Sequence, residues 1–104
     1  MKPSVKHLEG RHLTATDKRS ILECIEFLRG KDNYEIMLGR KGSPKRYCLC
    51  PDREILNRYA VAIEETYRTD SGRRDTRTSC HVIEVRGVDP LPHIEPANQQ
   101  LELF

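Results

Sequence analysis

Apolar residues recur at clear helical spacing in one stretch of the chain. In ATDKRSILECIEFLRG, residues 15–30, Ile21, Leu22, Ile25 and Leu28 fall on a single face. Thr16 or Asp17 is placed to cap the first turn, and Gly30 is placed to stop the last. The following segment, NYEIMLGRKGSPKRYCLC, alternates instead. Tyr34, Ile36 and Leu38 share one side, RKGSPK turns the chain, and RYCLC returns, which predicts a hairpin with arms near 33–40 and 45–50.

Residues 52–69 fit two periods. Ile55, Leu56, Tyr59, Ala60, Ile63 and Tyr67 make a helical stripe, while Tyr59, Val61, Ile63 and Tyr67 make a strand face interrupted by Glu65. Length and the early acidic residues favour a helix. DSGRRDTR then reads as a polar loop and TSCHVIEVR as a β-branched strand. With residues 1–13 as a basic, irregular arm, the element order is αββαβ. It predicts a small two-layer α+β domain over 1–86, with helices on one face of a short, mostly antiparallel sheet.

Composition changes at Gly87. Prolines 90, 92 and 96 suit neither a helix nor a central strand, so residues 87–104 are expected to form an extended tail. Its first thirteen residues, 87–99, would reach on the order of 40 Å. The tail ends in NQQLELF, an apolar finish for a chain that is 33% charged.

Gln100-Leu101-Glu102-Leu103-Phe104 resembles the pentapeptide QL(S/D)LF by which bacterial replication and repair proteins bind the DNA sliding clamp, the β subunit of DNA polymerase III. Glu102 stands where Asp or Ser is usual. The resemblance covers only those five residues. It implies that Leu103 and Phe104 fill an apolar pocket on the clamp, Leu101 adds a second contact and the Gln100 amide bonds at the rim. It also implies a non-enzymatic accessory or inhibitor protein of bacterial, phage or plasmid origin that competes with other clamp clients, as a growth-arresting toxin would. The alternative is a small basic nucleic-acid-binding module, or a toxin-type nuclease, whose last residues pack on its own core.

Charge adds little to that choice. The net charge is +2, too balanced to identify a nucleic-acid binder. Two local clusters, Arg40/Lys41/Lys45/Arg46 and Arg73/Arg74/Arg77, are nevertheless candidates for phosphate contacts. No apolar run has the length of a membrane span and the first sixteen residues hold no signal-like stretch, so a cytoplasmic protein with reduced cysteines is expected. Cys48, Cys50, Cys80 and His81 form the one metal-ligand set to weigh. Its C-x-C spacing is unlike structural zinc knuckles, and adjacent Cys80 and His81 face opposite ways on a strand. No metal or cofactor is expected. Catalysis is not expected either. His7, His12, His81 and His93 are scattered without an acid–base partner nearby in sequence, and Pro51-Asp52 with Glu84-Val85-Arg86 matches a restriction-type nuclease pattern only without its final lysine.

Overall fold

The computed structural model describes residues 2–94. It contains strand β1 (Ser4–Glu9), helix α1 (Ala15–Leu28), and strands β2 (Leu38–Gly39), β3 (Lys45–Pro51), β4 (Arg58–Arg68) and β5 (Arg74–Arg86). All neighbouring strands are antiparallel, in the order β1-β5-β4-β3-β2. This is an α+β domain with its helix on one face of the sheet.

Helix α1 forms where the periodicity places it. Ile21, Ile25 and Leu28 are fully buried. Its cap is Thr14 rather than Thr16 or Asp17. The Thr14 hydroxyl accepts from the Asp17 N–H at 3.0 Å, and the Asp17 carboxylate accepts from the Thr14 N–H at 3.2 Å, a reciprocal capping box. Gly30, at φ +85°, lies just beyond the C-terminal cap Arg29, a conformation that costs glycine little.

Residues 52–69 do not form the expected second helix. The Asp52 carboxylate accepts from the N–H groups of Glu54 and Ile55 in a tight turn, and Asn57 at φ +61° reverses the chain into β4. Ile55 and Leu56, the start of the helical stripe, face solvent. Tyr59, Val61 and Ile63 face α1, and β4 is bonded on both sides, by β3 and by β5. Glu65, which seemed to break the strand pattern, lies opposite Arg77 and accepts from its Nη2 at 2.7 Å. Two ladders of backbone bonds outweigh a propensity preference of a few tenths of a kcal/mol per residue.

Three further expectations are corrected. Part of the N-terminal arm is a real edge strand, paired along β5 from Ser4↔Arg86 to Glu9↔Val82. The first arm of the expected 33–40 hairpin shrinks to Leu38–Gly39, while Tyr34 leaves the sheet and is buried. Strand β5 also begins earlier than the TSCHVIEVR stretch, taking in Arg74 to Arg77 from the expected loop.

Residues 88–94 are neither helix nor strand, as their prolines require, but they are not a free tether. Leu91 is buried, and Val88 and Ile94 pack against the core. The Leu91 N–H donates to the Tyr59 hydroxyl at 3.3 Å, and the Tyr34 hydroxyl donates to the Pro92 carbonyl at 2.6 Å. Asn57 Nδ2 donates to the Val88 carbonyl and Arg29 Nη2 to that of Asp89. These residues form a strap that closes one end of the core, so the folded unit extends past Arg86 to at least Ile94. Leu91→Ala should therefore destabilise the domain by about 2–4 kcal/mol, as buried leucine truncations do, read as a lower urea midpoint with an unchanged slope. A free tether would show no change.

Candidate functional site

The clamp-like residues Gln100, Leu101, Glu102, Leu103 and Phe104 lie outside the described residues. The other candidates can be placed. Cys48, Cys50 and Cys80 sit on the sheet face that carries no helix, in the rows Cys48–Ala62–Cys80 and Cys50–Ala60–Val82. Cys48 and Cys80 are therefore two strands apart, roughly 10 Å, too far for a disulfide or shared ion. His81 is buried on the opposite face. The four do not converge, and among the described residues no group of three or more His, Cys, Asp or Glu side chains is placed to hold a metal ion. Cys24, Cys48, Cys50 and Cys80 are all free thiols. Burial pushes the Cys24 thiol up to about 11, so it is protonated and unreactive at neutral pH.

The two basic clusters come together. The antiparallel register sets the turn before β3 and the turn between β4 and β5 at the same end of the sheet, tied by a bond from the Thr66 N–H to the Pro44 carbonyl. Much of their charge is already answered. Arg40 pairs with Glu23, Arg46 with Glu64, Arg77 with Glu65 and Lys45 with Asp17. Among the described residues, Lys41, Arg73 and Arg74 make no ion pair and remain open to solvent.

At this end, between the start of α1, the 10–13 loop and the inner faces of β4 and β5, lies a cleft of about 700 Å³. Asp17, buried in its wall, accepts from the Tyr47 hydroxyl at 2.8 Å and from Lys45 Nζ at 3.0 Å, besides its capping bond. Burial pushes its carboxyl up, but the bonds from Tyr47, Lys45 and Thr14 outweigh this and hold it below the ordinary 3.8. Tyr47, buried and hydrogen-bonded to that anion, is pushed up to about 12.

His81 and Ser79 occupy alternate positions of β5 and point into the same cleft. His81 Nδ1 is 2.9 Å from the Arg11 carbonyl and Nε2 is 2.8 Å from Ser79 Oγ. A carbonyl only accepts, so Nδ1 carries the proton, Nε2 is the lone-pair nitrogen, and the Ser79 hydroxyl donates to it. Burial, reinforced by neighbouring His7 and opposed by the Arg11 bond, keeps the imidazole below the ordinary 6.5. Gly10 makes the loop fit. Its φ is +103°, and a Cβ there would stand 2.5 Å from the Cys80 carbonyl oxygen.

No family model, curated protein or solved structure matches the chain. The pairing of Ser79 with His81 is the feature that the sequence reading missed. Its partial signal was S-x-H on a β-branched strand, which puts both side chains on one face. The Arg11 carbonyl that orients the ring lies 70 residues away, out of reach of local pattern. Among the described residues no helix is long and apolar enough to cross a membrane.

Asp17→Ala removes the reciprocal half of the capping box and the anion that Tyr47 and Lys45 face, and should cost about 2–4 kcal/mol in urea unfolding, the sum of a lost capping bond and a charge-assisted bond. The pH dependence follows from the two lowered values. Both groups bind protons more readily unfolded than folded, so stability is complete above the unfolded values and falls with falling pH. The urea midpoint should decline first below pH 6.5 through His81 and again below 3.8 through Asp17, and His81→Gln should remove the upper step alone.

Proposed function

We propose that this protein docks on the bacterial DNA sliding clamp through Gln100-Leu101-Glu102-Leu103-Phe104, competing with other clients for the same pocket. The observation that carries this reading is the match of the terminal pentapeptide to QL(S/D)LF. The strap adds support of a different kind. Residues 88–94 belong to the folded body, with Leu91 in the core and Val88 and Ile94 packed against it. The leash between Ile94 and Gln100 is then residues 95–99, at most about 18 Å when fully extended, instead of the 40 Å of a free tail. A short leash holds the domain close to the clamp, where its bulk obstructs the pocket's other users.

Three buried apolar side chains contribute roughly 5–8 kcal/mol before ordering costs, in keeping with micromolar affinity for the peptide. Basic residues gathered at one end of the sheet favour a secondary reading, in which Lys41, Arg73 and Arg74 meet phosphates of nucleic acid. Register places that end six residues of β4 away from the strap, roughly 20 Å, so docking leaves it free.

Calorimetry of the intact chain against purified clamp should show binding that weakens at least about 100-fold in the Leu103→Ala/Phe104→Ala variant. Deletion of residues 100–104 should abolish binding and leave the thermal midpoint unchanged. Binding that survives the double substitution refutes the peptide mechanism, and a lowered midpoint after deletion supports packing on the protein's own core.

A further inference from the structure

We propose that Ser79 and His81 form a nucleophile–base pair that acts on an anionic phosphate ester entering the cleft beside α1. Three observations converge on this. The Arg11 carbonyl fixes the His81 tautomer, so the Ser79 hydroxyl proton is directed at the basic Nε2 across 2.8 Å. The serine is half-buried and lines the cleft, whereas the histidine behind it is 4% exposed, which keeps solvent from competing for that nitrogen. The cleft mouth is also cationic. Lys45 and Arg77 line it already paired with carboxylates, while the Arg11 side chain is exposed and makes no ion pair among the described residues.

That uncommitted guanidinium selects the electrophile. A neutral acyl ester has no use for it, whereas a phosphodiester brings one negative charge to the ground state and more to its transition state. Ser79 Oγ attacks phosphorus as its proton passes to His81 Nε2. The Oγ–P bond forms, the P–O bond to the leaving group breaks, and the imidazolium returns the proton to the departing oxygen. Water then attacks the phosphoserine diester with His81 as base, the P–Oγ bond breaks, and Ser79 recovers its proton. No oxidant, reductant or metal is needed to balance either step. His7, whose ring centroid is 5.7 Å from that of His81, and Asp17 and Lys45 on α1 and β3 are the titratable groups around the base among the described residues.

The test uses the full chain and two probes. A fluorophosphonate forms the Oγ–P bond with loss of fluoride and reports the nucleophile whatever the ligand's charge. One adduct is expected, on the peptide containing Ser79, absent in Ser79→Ala and formed about 100-fold more slowly in His81→Gln. The labelling rate should rise with pH to a plateau as His81 loses its proton. Bis(4-nitrophenyl) phosphate then tests the substrate class. Nitrophenolate release should be lost in Ser79→Ala, and Arg11→Ala should raise KM more than it lowers kcat. Wild-type chain that stays unlabelled while natively folded by circular dichroism overturns the proposal, as does an adduct elsewhere. Labelling of Ser79 without cleavage of the diester overturns the assignment of an anionic phosphate ester. Because Ser79→Ala deletes only a hydroxyl, it separates chemistry from folding if His81→Gln proves unstable.

Discussion

The buried carboxylate of Asp17 is the contact on which the placement of the helix depends. It closes the capping box with Thr14 and accepts from Tyr47 and Lys45 of β3, so one anion satisfies the start of α1 and binds it to the sheet. An ion held this way is intolerant of partial loss, since a buried charge without its partners costs several kcal/mol. The same contact fixes the gap between the helix start and the ends of β4 and β5. The cleft exists because α1 begins here and, among the described residues, no other element covers the sheet end.

From that anchor the molecule divides by direction. The inner face is apolar toward the strap and polar toward the cleft, with the change occurring along β4 and β5 from Tyr59 and Ile83 to Glu65 and Arg77. The outer face has small and thiol side chains at its centre, with ion pairs such as Arg46–Glu64 beside them. Charge on this chain is therefore arranged more than it is abundant, and a net value near neutrality conceals an end of the sheet where cations without an ion pair among the described residues collect.

Much of this was legible in the residues, and the failures have physical causes. Helix α1 was readable because Ile21, Ile25 and Leu28 follow one period and nothing competes with it. Strand β4 was not, because Tyr59 and Ile63 satisfy both periods at once and only pairing with β3 and β5 decides between them. Strand β1 was hidden since Val5 is its one well-buried apolar residue, and an edge strand needs little more. The proline-rich segment was read correctly as irregular and wrongly as detached, because Leu91 looks the same in sequence whether it faces water or Tyr59. The basic clusters were visible as residue types, while their counter-ions on other elements were not. His81 was weighed as a metal ligand and as a catalytic base and set aside as both, for want of a partner nearby in sequence. The Arg11 carbonyl that gives it a different chemistry carries no mark in the sequence.

The strap has a mechanical meaning. Tension passing along the chain into residues 88–92 meets hydrogen bonds with Arg29, Tyr34, Asn57 and Tyr59, which spread the load over the helix end and β4. Those attachments must shear before β5 can be unzipped from its neighbours. Load entering through the strap is therefore borne by the body of the domain, and β5 is shielded from being peeled away.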